Sequence, residues 1–196
     1  MLTEFEVETA IAAALRTVDR NMLTFADTYP ADSTESGVYP VRTPRHGYPP
    51  GSHTGWTTGF WAGQLWLAYE LTGLSKYRDA AEVQVRRFSE RLRDRIDVEH
   101  HDIGFLYSLS CVAGWRLTGD EDARQTALAA ADQLMTRYLP GARVLQAWGK
   151  LDDPEQRGRT HLRAAGAAVS TAPASPPQIP VRPFRRAPRR AMAKCR

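Results

Sequence analysis

The 196-residue chain is poor in cysteine, in long apolar runs and, towards its end, in acid. Its two cysteines, Cys111 and Cys195, are too few for a disulfide framework or a cysteine zinc site, and fit a reduced compartment. No apolar run approaches the roughly 20 residues that cross a bilayer. The first residues, MLTEFEVETA, carry three glutamates and no basic stretch, so they do not read as a secretory signal. A cytoplasmic protein without a membrane partner is expected. Acid is missing altogether after Glu155, and this decides how the net charge of +4 is read. Residues 1–160 hold 18 Lys and Arg against 22 Asp and Glu, whereas residues 161–196 hold eight basic residues and no acidic one. The basic character is therefore local, and no specific nucleic-acid partner is expected of the chain as a whole.

What is present is helical. From Thr3 to about Ala26 apolar residues recur at helical spacing, and Thr3 with Glu6 fits a capping box. A Pro- and Gly-rich crossing segment follows over residues 28–55, long enough to suggest a functional loop. WTTGFWAGQLWLAYELTG, from Trp56 to Gly73, is apolar nearly all round and stops at a glycine, as a helix packed on every side does. Ser75 to Asp94 is amphipathic, with Tyr77, Ala80, Ala81, Val85, Phe88 and Leu92 in one stripe. The pair then recurs: Asp102 to Gly119 is apolar, and Asp120 to Leu139 is amphipathic. Leu71-Thr72-Gly73 returns as Leu117-Thr118-Gly119, and Gly59-Phe60 as Gly104-Phe105. A repeat of one buried and one half-exposed helix means stacked helical hairpins, either an open superhelix or a closed toroid. In both, the inner helices begin on one rim, which predicts that Trp56 and the His100-His101-Asp102 cluster lie near each other. Residues 140–160 read as a loop with a short apolar stretch at Val144, Leu145, Ala147 and Trp148. The Ala-, Arg- and Pro-rich residues 161–196 read as a disordered tail.

Three stretches, WTTGFWAGQLWLAYELTG, HHDIGFLYSLS and VLQAWG followed by DPEQRGRT, stand in an order and spacing that resemble the N-terminal half of the unsaturated glucuronyl hydrolases, glycoside hydrolase family 88. The resemblance runs from about Thr9 to Thr160. It implies an all-α fold, an (α/α)6 barrel or toroid of helical hairpins, here incomplete with about five of its helices. It divides the chain into a partial barrel domain, 1–160, and a tail, 161–196, whose abrupt composition is what a shifted reading frame would produce.

The activity the resemblance implies is release of a Δ4,5-unsaturated uronic acid from the non-reducing end of lyase-generated oligosaccharides. The C4=C5 vinyl ether is hydrated: an aspartic acid protonates C4, water adds at C5, and the hemiketal opens to free the leaving sugar. No metal or organic cofactor is implied. Asp102 matches the first of the family's two site acids, His101 a sugar-contacting residue, and Trp56 and Trp148 the aromatic walls of the pocket. The position of the second aspartate, which the resemblance makes the acid and base, is held here by Arg163. Turnover by this chain is therefore not expected, and an open edge of inner helices would favour self-association.

Each residue also has a plainer reading. Asp102 can be a helix-capping side chain, His101 a surface histidine, and the two tryptophans core. Neighbouring His100, His101 and Asp102 point in different directions with no distant ligand set, so no metal is expected there. The competing functions are a non-catalytic helical-repeat module that holds acidic sugars, and a polyanion binder acting through the basic tail.

Overall fold

A computed structural model describes residues 3–147, 149 and 151, and the backbone of 161–163. Helix α1, Glu4–Thr24, begins at the capping box: Thr3 N–H donates to Glu6 Oε2 at 2.7 Å, and Glu6 N–H donates to Thr3 Oγ1 at 3.3 Å. Its apolar side is thin, with Val18 buried and Leu15 and Met22 partly so.

Two layers follow. The inner helix α2, Thr58–Thr72, buries Trp61, Ala62, Leu65, Trp66 and Ala68. The outer helix α3, Ser75–Arg93, turns Tyr77, Ala81, Val85 and Phe88 towards it. The second inner helix spans Ile103 to Thr118 in three pieces: α4, Ile103–Tyr107; a π-helical turn, Ser108–Val112; and α5, Ala113–Thr118. Its outer partner is α6, Glu121–Met135, capped by Asp120 on the N–H groups of Asp122 and Ala123. Gly73 and Gly119 both end inner helices in left-handed conformation, at φ 68° and 75°. These are the two Leu-Thr-Gly repeats, and each marks the turn of one hairpin.

The inner helices cross where Gly59 faces Leu106. A Cβ built on Gly59 would lie 2.8 Å from Leu106 Cα, so only a hydrogen fits. The π turn lies against the same neighbour. A wider turn leaves carbonyls misaligned with their usual donors, and here Trp66 Nε1–H donates to Ser110 O at 2.9 Å while Ser110 Oγ donates to Leu106 O. Nothing in the sequence repeat announces this bulge.

The segment between α1 and α2 is folded more tightly than its proline content suggests. Bridges Pro30–Val41, Glu35–Val38 and Arg45–Tyr48 gather it into nested hairpins, and Phe25 and Tyr29 anchor it in the core. His53 stacks on Tyr29 at 4.2 Å and meets Phe88 edge-on at 4.2 Å. Burial, reinforced by the nearby Arg91 charge, holds the His53 imidazole well below its ordinary value of 6.5. An unfolded chain takes up this proton below about pH 6.5 and the folded chain does not, so stability is intact above that pH and falls as acid is added. Thermal melts from neutral to mildly acidic pH are expected to show a falling midpoint in the native protein and a flatter profile in His53→Phe.

After α6 the chain forms a small antiparallel sheet, β1 Tyr138–Leu139, β2 Val144–Gln146 and β3 His161–Arg163, in that order. The expected loop at 140–160 therefore contains a short strand, added to an architecture that is mostly helical, as expected. Backbone pairing also extends past residue 160, with Val144 opposite Arg163 and Gln146 opposite His161. A disordered tail is expected from residue 161; at His161–Arg163 the backbone is instead extended and paired, because the outer edge of β2 offers its N–H and C=O groups to a strand. The rest of the segment expected to be disordered lies outside the described residues. Among the described residues no helix is long and apolar enough to cross a membrane.

Candidate active site at the rim of the inner helices

The starts of α2 and α4 lie on one rim, and a buried arginine holds them there. Arg91, near the end of α3, is 1% exposed. Its Nε donates to Ile96 O, Nη1 to Thr58 Oγ1, and Nη2 to Gly55 O and Asp97 O, at 2.8–3.1 Å. Asp97 completes the clamp: its carboxylate lies 3.7 Å from Arg91 Nη2 and accepts Gly55 N–H at 2.6 Å. Burial pulls the Asp97 carboxyl upward, but the Gly55 bond and the Arg91 charge outweigh it and leave the group below its usual range.

From this clamp the chain delivers the HHD triplet. His100 Nε2 meets Asp97 O at 2.9 Å, and His100 Nδ1 receives Asp102 N–H at 3.2 Å. These two bonds assign the proton to Nε2 of a neutral ring. Burial, the largest influence on His100, lowers its basicity and agrees with that form. His101 Nδ1 faces Ala147 O at 3.1 Å and its Nε2 faces Asp102 Oδ1 at 3.1 Å. A carbonyl only accepts, so Nδ1 carries a proton. The Nε2 to Oδ1 contact is then attractive only with one further proton between ring and carboxyl. Asp102 Oδ2, 3.4 Å from His100 Nδ1, faces a ring nitrogen that is already an acceptor. The contact between His101 Nε2 and Asp102 Oδ1 thus places a hydrogen-bonded proton at the Asp102 carboxyl, the arrangement a general acid needs.

Asp102 is 6% exposed, and at the N-terminus of α4 its side chain makes no capping bond. The reading of Asp102 as a simple capping residue is therefore corrected. At φ −69° and ψ −4° its backbone is already helical, and the side chain leans to the histidines instead of back over the first turn.

Trp56, Asp102 and His100 line one cavity of about 210 Å³, with Arg45, His46, Gly55, Asp97 and Glu99 as its other walls. Trp56 is 42% exposed and braced edge-on by Phe60 at 6.0 Å, so its indole is a wall and not core. His101 stands behind Asp102 and is joined to it. Trp148 lies outside the described residues. Its neighbour Ala147 is buried, and accepts both the His101 N–H at 3.0 Å and the His101 ring. Arg137, fully buried, secures this stretch by donating to Gln146 O and Gly149 O at 2.8 and 2.9 Å. Sequence reasoning did not reach Arg45, His46, Arg91, Asp97 or Glu99. The long Pro/Gly segment was the signal for the first two, and for Arg91 an arginine among the buried positions of α3. Among the described residues no three His, Cys, Asp or Glu side chains are grouped to hold a metal.

Stacked hairpins whose inner helices begin on one rim, with a histidine-backed carboxyl and an open indole there, define a protein of the helical-toroid class. Comparisons give the kind more closely. The chain is 46% identical over 150 residues to the unsaturated glucuronyl hydrolase of Bacillus sp. strain GL1, covering 76% of this chain and 37% of that protein. The crystal structure of unsaturated glucuronyl hydrolase from Streptococcus agalactiae superposes with a TM-score of 0.71 at 40% identity, over 80% of this chain and 37% of that one. A mutant of the Streptococcus agalactiae enzyme complexed with dGlcA-GalNAc6S matches at 0.63 and 40% identity, over 70% and 34%. No protein-family model matches the chain. Over 76–80% of its length the chain is thus similar to unsaturated glucuronyl hydrolases, and its fold is part of an α/α toroid like theirs. It spans about 37% of the length of the curated relatives it matches.

Proposed function

We propose that the rim cavity is the acid-bearing part of a glycosidase site for oligosaccharides ending in a Δ4,5-unsaturated uronic acid. The observation that carries this reading is the placement of a buried, non-capping Asp102 and a half-open Trp56 in one cavity of about 210 Å³. Trp56 offers a flat face to a flattened ring. Asp102, with the proton it shares with His101, is the group to protonate C4; water then adds at C5, and the hemiketal opens to release the leaving sugar. His101 holds the carboxyl in position and resupplies the proton. Trp148 is proposed as the second aromatic wall, on the resemblance alone. Arg163 stands where the resemblance places the second aspartate, the presumed acid and base, so Asp102 is the acid that remains and this chain binds without efficient turnover. A cytoplasmic setting belongs to the same proposal and is supported by the low cysteine content, with Cys111 a buried free thiol.

The test mixes the protein with an unsaturated glucuronyl disaccharide, following binding by calorimetry and the vinyl ether by its ultraviolet absorbance. Saturable binding without loss of absorbance is expected, weakened about ten-fold or more in Trp56→Ala by loss of the stacking face. Steady loss of absorbance would overturn the statement on turnover, and absence of binding would overturn the site. Salt-sensitive DNA binding that disappears with residues 161–196 would favour the polyanion reading instead.

A further inference from the structure

We infer that Arg45 is the specificity-determining cation of this site, taking an oxyanion of the bound sugar, either a uronate carboxylate or a sulfate ester. The inference rests on the sugar-binding reading above and goes further by assigning a residue that the sequence motifs do not contain.

The argument starts from charge. Three of the cavity's walls, Asp97, Glu99 and Asp102, are carboxyl groups, and an anionic sugar meets an unfavourable field there unless a cation faces it. The other arginines nearby are committed. Arg91 serves Asp97 and four oxygens of the rim; Arg95 pairs with Glu99, and Arg137 lies 3.6 Å from the same carboxylate. Arg42, 3% exposed, holds Asp32 at 2.9 Å and donates to Thr57. Arg45 differs. Its Nη1 is 3.9 Å from Asp32 Oδ2, a carboxylate already held by Arg42 and Thr57, and its side chain is 40% exposed. Its Nε is used on His46 Nε2 at 3.0 Å. The Nη edge of the fork is therefore weakly held and open to a ligand, and it suits the paired oxygens of a carboxylate or sulfate.

Geometry fixes where this fork sits. Arg45 and Tyr48 exchange backbone bonds at 2.9 and 3.3 Å across a two-residue turn in which His46 and Gly47 both have positive φ, 52° and 82°. Such a turn is short and stiff, so Arg45 is presented from a fixed stem. Gly55 lies beneath it in left-handed conformation at φ 77°; a Cβ there would be 2.7 Å from Arg42 Nη1 and 3.6 Å from Arg45 Nη1. Gly55 also gives its N–H to Asp97. The same glycine thus seats the guanidinium and ties the hairpin to the rim that carries Asp102.

The experiment measures affinity by calorimetry for three unsaturated disaccharides: unsulfated free acid, its uronate methyl ester, and a sulfated form. Arg45→Ala and Arg45→Lys are compared with the native chain, with circular dichroism confirming unchanged helix. A charge-assisted, partly exposed contact predicts about ten-fold weaker binding of the recognised anion in Arg45→Ala, with the lysine variant between. If the loss appears with the free acid and vanishes with the ester, Arg45 takes the carboxylate; if it appears with the sulfated sugar alone, it takes the sulfate. Equal affinity of Arg45→Ala and native protein for all three sugars overturns the inference and leaves the sugar site standing. Binding of none of them by the native chain overturns both.

Discussion

Arg91→Ala is expected to lower the unfolding free energy by about 3–5 kcal/mol, the cost of removing one partner from a buried, hydrogen-bonded charge. Four acceptors lose their donor at once: Ile96 O, Thr58 Oγ1, Gly55 O and Asp97 O. Gly55 lies in the loop that enters α2, Thr58 is the first residue of α2, and Ile96 and Asp97 lie in the turn that enters α4, so the loss falls on the joint between the inner helices. Asp97, whose carboxyl the Arg91 charge helps to keep ionised, is left with Gly55 N–H as its remaining close donor. Arg91→Lys keeps the charge but not the fork, and is expected to recover only part of the loss. Chemical denaturation monitored by circular dichroism measures both. A midpoint in Arg91→Ala within error of the native protein would mean that the clamp does not hold the rim.

The second large effect concerns association. Phe60 and Leu67 on α2 and Phe105 on α4 are 45%, 58% and 55% exposed, and an apolar groove of about 380 Å³ runs from Phe60 and Leu67 to Leu109 and Leu117. Fully burying one such side chain is worth about 1.5–3 kcal/mol. Covering these side chains between copies of the chain removes them from water, so self-association is expected. Sedimentation velocity is expected to find concentration-dependent multimers of the native protein and a monomer for Phe60→Ser, Leu67→Ser, Phe105→Ser combined. A native chain that sediments as a monomer at every concentration would contradict this.

The helices were legible because their signals are local. The Thr3–Glu6 box and the two Leu-Thr-Gly stops act within one turn, and the buried and half-buried pattern repeats over whole helices. The repeat also carried the most useful inference about the site, that Trp56 and Asp102 begin neighbouring inner helices and so share a rim. Other features depend on partners distant in sequence. The π turn at Ser108–Val112 answers to Trp66, and no residue inside it signals a bulge. Strands of two or three residues, such as Tyr138–Leu139 and Val144–Gln146, are shorter than any periodic window, so an apolar loop was the natural reading. Arg45 reaches the cavity through a hairpin whose path is set by Tyr29, Val41 and Gly51, which hydropathy does not reveal. The capping role for Asp102 is chemically reasonable for an aspartate before a helix; the His101 ring beside it takes the carboxyl instead.

The central claim is that the indole of Trp56 and the carboxyl of Asp102 face one sugar ring. Its most direct measurement is a titration of the isotope-labelled protein with the unsaturated disaccharide, following the Trp56 indole N–H and the Asp102 carboxyl carbon by nuclear magnetic resonance. Both signals are expected to shift together with one saturating affinity, and the Asp102 shift is expected to weaken in parallel with affinity in Trp56→Ala. Saturation seen through other resonances while these two stay in place would contradict the account.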